Sequence, residues 1–97
     1  MSSNNLLSWL ETFFSNHCNG DWEHQNGVQI STIDNPGWSV TIDLEGTKFE
    51  RRFFTKVEMN RAKEDWIVCW LVDTHWEGRG GPNNLQEILS VFKEWAA

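Results

Sequence analysis

Residues 38–44, Trp38-Ser39-Val40-Thr41-Ile42-Asp43-Leu44, decide the fold. Trp38, Val40, Ile42 and Leu44 alternate with Ser39, Thr41 and Asp43, the period of a strand with one apolar and one wetter face. Glu45-Gly46 follows and reads as a two-residue hairpin loop. That loop pairs Leu44 with Thr47, Asp43 with Lys48, Ile42 with Phe49 and Trp38 with Phe53, so apolar meets apolar and opposite charges meet. A three-residue loop would set Ile42 against Glu50. Val40 opposite Arg51 is the one misfit of the shorter loop.

Working outward, Val28 and Ile30 alternate with Gln29 and Ser31 as a short strand, and Asn35-Pro36-Gly37 suits a type II turn. Residues 55–64 are polar and read as a loop. Trp66 to Val72 is a continuous apolar run, short for a helix and rich in β-branched and aromatic residues, which predicts a central strand covered on both faces. Gly78-Arg79-Gly80-Gly81-Pro82 reads as a flexible link. At the N-terminus, Leu6, Leu7, Trp9, Leu10, Phe13 and Phe14 recur at helical spacing, predicting an amphipathic helix over 5–17 that stops at Asn19-Gly20. Leu85, Ile88, Leu89, Phe92 and Trp95 form a second helical stripe, with Asn84 and Glu87 placed as a capping box. The order α-β-β-β-β-α predicts an α+β fold: a four-stranded antiparallel sheet with an N-terminal and a C-terminal helix packed on one face, in a single domain over 1–97.

The chain has 97 residues, 14 acids against 8 Lys+Arg, and a net charge of −6. That length suits one small domain with a real core. No stretch approaches the roughly 20 apolar residues of a membrane span, and no signal peptide is visible ahead of the first helix. Two cysteines, Cys18 and Cys69, are too few for a disulfide framework and fit a reducing compartment, so a cytoplasmic location is expected. The charge is sorted along the chain: residues 1–47 hold six acids and no Lys or Arg, while 48–63 hold six basic residues against Glu50 and Glu58. Such a protein is poorly suited to phosphate backbones and better suited to a basic protein partner. Neither nucleic acid nor a membrane is expected as a partner.

Chemistry concentrates in His17-Cys18-Asn19-Gly20-Asp21-Trp22-Glu23-His24. Cys18 and His24 lack a second pair at zinc-type spacing, so no metal and no cofactor are expected. An enzyme of sulfurtransferase or hydrolase type would use Cys18 as nucleophile or Asp21, Glu23 and His24 for acid/base work. Against this, the cysteine ends a helix, and no fixed partner elsewhere completes the carboxylates. No catalytic residue is therefore assigned. Of seven tryptophans, Trp22 and Trp76 sit in polar stretches beside Asp21, Glu23 and Glu77. Each is either an anchor for a partner or ligand, or a lid folded over the core.

The strings Gly20-Asp21-Trp22-Glu23-His24 and Asp34-Asn35-Pro36-Gly37-Trp38, with Asp65-Trp66, the Gly78–Pro82 segment and the closing Leu85-Gln86-Glu87-Ile88, resemble immunity protein family 53 of bacterial polymorphic toxin systems. The resemblance covers nearly the whole chain. It implies a cytoplasmic, non-catalytic inhibitor that binds and neutralises a cognate toxin, nuclease-type effectors being common in such systems. A basic nuclease would suit the acidic charge. The expected contact residues, from their local polarity, are Asp21, Trp22, Glu23, His24, Asp34, Trp76 and Glu77.

Overall fold

The alternating stretch is a strand, β2 (Gly37–Asp43), but its partners are not those of a hairpin at 45–46. In this computed structural model, which describes residues 2–97 and side chains from residue 5, β2 lies between β1 (Val28–Ile33) and β5 (His75–Gly80). With β3 (Val57–Ala62) and β4 (Asp65–Val72) they form one antiparallel sheet of five strands, not four, ordered β1-β2-β5-β4-β3. Residues 44–52 instead turn repeatedly, with Thr47 N donating to Leu44 O, Glu50 N to Thr47 O and Arg52 N to Phe49 O. Phe49 leaves the sheet for the helix layer, where it is 2% exposed. Ile42 faces Trp76, Val40 faces Gly78 and Trp38 faces Gly80 across the β2–β5 ladder. The misfit of Val40 with Arg51 is thereby removed.

The supposed flexible link is thus the end of the central strand. Glycine hid it, because Gly78 and Gly80 carry no side chain to show a period, and the helix layer needs that space. A Cβ on Gly78 would strike the Ile88 side chain, and one on Gly80 would lie 2.9 Å from Ile88 Cδ1 and 3.0 Å from Trp66 O. The polar segment read as a loop is the edge strand β3; an edge strand with its side chains in water needs no apolar period. Between β1 and β2 the expected type II turn is absent, because Gly37 pairs with Ile33 as part of β2 and lacks the positive φ that such a turn needs; the Asn35–Pro36 bond is cis.

Helices α1 (Ser2–His17) and α3 (Leu85–Ala96) form where the apolar stripes place them, and Gly20 follows α1 with φ of 95°. A four-residue helix, α2 (Trp22–Gln25), comes next. Both long helices lie over one face of the sheet. Ile42, Val40, Ile67, Cys69 and Trp76 point up into Ile88, Leu89, Phe92, Phe13 and Leu6. Phe92 is the hub, with ring centroids 5.0 Å from Trp76, 5.2 Å from Phe13, 5.9 Å from Trp9 and 6.0 Å from Trp95. Such offset and edge-on pairs add to the apolar area they bury. Cys69 is fully buried here, and burial pushes its thiol up to about 12.

Asn84 precedes α3 but does not cap it with its side chain. Its amide donates to Asp65 Oδ1 (3.0 Å) and Glu87 Oε1 (3.1 Å), the two carboxylates that also grip Arg61. Hydrogen bonds from Arg61 foremost, then from Asn84, hold the Asp65 carboxyl below its usual range, and the same two donors lower Glu87. A lowered folded-state value means the unfolded chain binds these protons more readily. The resulting stabilisation is complete above the ordinary carboxylate range near pH 4 and disappears as the pH falls through the lowered values. Arg61→Gln should therefore lower stability from about pH 5 to pH 9 and change little at pH 2, where the wild type has already lost this contribution, so that the acid limb flattens, as denaturant midpoints from pH 2 to 9 will show. An unchanged acid limb would mean the cluster contributes nothing.

Candidate functional site

The segment richest in chemistry folds into a self-satisfied corner. Asn19 Oδ1 accepts from the backbone N–H groups of Asp21 and Trp22, each at 2.9 Å. Glu23 turns back and accepts from Asn19 N at 2.9 Å and Gly20 N at 2.8 Å. Its own backbone N–H and these two lower the Glu23 carboxyl, with nearby His24 adding to the effect against some desolvation. Trp22 is 8% exposed, packs on His17 and Phe14, and donates its indole N–H to Glu45 O at 2.8 Å. This corner consequently ties α1 to the end of β2. Only Asp21 and His24 of the four turn to solvent.

The chemistry open to Cys18 follows from the same geometry. Its thiol donates to Phe14 O at 3.3 Å, and burial with the neighbouring Glu23 charge raises it, which disfavours the thiolate a nucleophile needs. Among the described residues no group of three His, Cys, Asp or Glu side chains is placed to hold a metal ion.

The remaining expected contact residues are scattered. Asp34 is exposed in the β1–β2 turn, at the opposite end of a six-residue strand from α2, a distance of about 20 Å. Trp76 is no surface anchor, because it points from β5 into the helix layer, fully buried against Phe54 and Phe92. Glu77, its neighbour, points the other way. There it accepts from Thr41 Oγ1 and Arg79 Nη1, both at 2.9 Å, and is 9% exposed.

Glu77 belongs to a surface that the periodicity argument missed. The apolar run 66–72 was expected to be covered on both faces, and helices cover only one. On the other, Trp66, Val68, Trp70 and Val72 project from β4, next to Glu77 and Arg79 on β5 and to Ser39 and Thr41 on β2. The Arg79 guanidinium stacks over Trp70 at 5.3 Å, and Lys56, Val68 and Trp70 line a shallow depression of about 350 Å³. Beyond its lower end lie Asp43, whose Oδ2 accepts from Gly27 N at 2.9 Å, and His75, whose Nδ1 lies 3.3 Å from Asp43 Oδ1. The signal for this face was present in sequence: a Trp-Ile-Val-Cys-Trp run with large side chains at both parities, in a chain with only two helices to cover it.

A helix-backed antiparallel sheet with one helix-free face, and with both cysteines and Glu23 held in structural contacts, defines the class: an α+β protein. The chain belongs to the Immunity protein 53 family, whose model matches residues 7–97. Its function is immunity, and the family implies a cognate toxin as partner. No curated protein and no solved structure matches the chain. No helix among the described residues is long and apolar enough to cross a membrane.

Proposed function

We propose that this protein neutralises its toxin by binding and occluding it, acting in the cytoplasm as a single unit, and that it transforms nothing itself. The observation that carries this reading is how its charges are used. Arg61 and Arg79 are paired with its own carboxylates, Lys56 lies 3.5 Å from Glu58, and Arg52 donates to Trp95 O. Asp21, Asp34, Glu45 and Asp73 remain exposed, as do Lys48, Arg51 and Lys63, and the acids outnumber the basic residues 14 to 8, for a net charge of −6. Such a surface attracts a basic protein and speeds its encounter. A nuclease holds phosphates with Lys and Arg, so a basic nuclease fits as the toxin, with carboxylates standing where its substrate's phosphates would lie. Asp21, Glu23, His24, Asp34 and Glu77 are the proposed contacts, with Trp22 and Trp76 positioning the backbone that carries them. Cofactors and metals have no part in this mechanism.

The test mixes the purified protein with the toxin domain encoded beside its gene. A one-to-one complex should form at micromolar concentration, and its association rate should fall on the order of tenfold or more between low and high salt. Cys18→Ala should protect cells as well as the wild type does. Protection with no detectable complex, or loss of protection in the Cys18 variant despite a native fold, would contradict the proposal.

A further inference from the structure

Five of the seven tryptophans are accounted for by the fold. Trp9 and Trp76 pack against Phe92, while Trp22, Trp38 and Trp95 donate their indole N–H groups to Glu45 O, Pro82 O and Phe53 O, pinning loops to the body. Trp66 and Trp70 do neither. They stand two rows apart on the helix-free face, half-buried by their neighbours, with no acceptor for either indole among the described residues. Val68 lies between them, and Val72 extends the stripe, 39% exposed. An apolar stripe of this kind on a sheet face marks an interaction surface, and Trp with Arg is the pair most enriched where binding energy concentrates.

Building on the toxin-binding reading above, we infer that the helix-free face is where the cognate toxin docks, with Trp66 and Trp70 as anchors. The occupant is a toxin surface presenting an apolar ridge bordered by Lys or Arg. Two observations select it. First, the charged groups on the face are already partnered: Arg79 is stacked on Trp70 and bonded to Glu77, which Thr41 also holds, and Glu58, opposite Val68, lies 3.5 Å from Lys56. Covering them leaves no bare charge in the interface. Second, the stripe runs toward an acidic end of the sheet. Segments 21–24, 43–46 and 73–75 meet there, through Trp22 Nε1 donating to Glu45 O and Leu44 N to Thr74 O. They hold Asp21, Glu23, Asp43, Glu45 and Asp73 and no Lys or Arg. Cationic groups beside the toxin's ridge meet these carboxylates. A second copy of this chain would bring the same acidic end and the same net −6, which opposes self-association through this face.

The test measures the affinity of the full chain for the toxin domain encoded beside its gene. Trp70→Ala and Val68→Glu should each weaken binding on the order of 30-fold or more, whereas Leu7→Ala, at an exposed position of the helix layer on the opposite face of the sheet, should leave it unchanged. Both face variants are read with a circular-dichroism melt beside them. Radical footprinting of the unmodified protein supplies the answer where a variant fails to fold: Trp66 and Trp70 should react readily when free and be shielded in the complex. Wild-type affinity in both variants, or equal Trp66 and Trp70 reactivity with and without toxin, overturns the assignment. So does shielding of these two residues in the free protein through self-association. Absence of any wild-type complex is a different result, which removes the toxin-binding reading itself.

Discussion

Phe92→Ala is expected to cost about 3–5 kcal/mol, a large part of the stability of a domain this size. Phe92 is fully buried and touches Trp9, Phe13, Trp76 and Trp95, which come from α1, β5 and α3. Truncation leaves a cavity whose walls are large rigid rings on three separate elements, so little can move in to fill it. For a chain of about 100 residues the melting temperature should drop by more than ~10 °C, and near-ultraviolet dichroism from the buried tryptophans should weaken. A loss below about 1 kcal/mol by urea denaturation would mean the two helices are not held to the sheet through this cluster.

Gly78→Val should be nearly as damaging, by the opposite route. The missing side chain at 78 is space already occupied by Ile88, so a valine must push α3 off the central strand. Overpacking of this kind costs about 3 kcal/mol where the backbone cannot yield, and here the strand is flanked on both sides by others. A double-mutant cycle isolates the cause. Gly78→Ala should be destabilising alone, and Ile88→Ala in the same chain should recover part of that loss, giving a coupling energy of about 1 kcal/mol. Strict additivity would show that the residues do not compete for the same volume.

These two residues also show what the sequence made legible. Phe92 stands on a 3.6-residue stripe, and its burial follows from the pattern, as do α1, β2 and the membership of Ile42, Val40 and Ile67 in the core. Gly78 stands on no pattern. The central strand β5 has the sequence His-Trp-Glu-Gly-Arg-Gly, in which glycines stand where an alternating strand would show apolar side chains. Its role is set by the helix above it, a contact between residues ten apart that local periodicity does not report. The hairpin pairing of Ile42 with Phe49 was locally sound but lost to the pairing of Ile42 with Trp76, which lets Phe49 join the helix layer.

The candidate site divides in the same way. Polar surroundings marked Asp21, His24 and Asp34, which are exposed, but they also marked Trp22 and Trp76, which are not. A tryptophan beside acids on a strand shows its neighbours' polarity, whereas its own burial depends on parity: Trp76 and Glu77 face opposite sides of β5. Glu23 was marked as a titrating group, and two backbone N–H groups from a tight turn keep it a fixed anion instead.

The central claim is inhibition by occupancy, and a titration of toxin activity tests it most directly. With toxin held well above the dissociation constant, activity should fall in a straight line and reach zero at one equivalent of this protein. Full protection at a small fraction of an equivalent would contradict the account, since one molecule would then be disabling many toxins in turn.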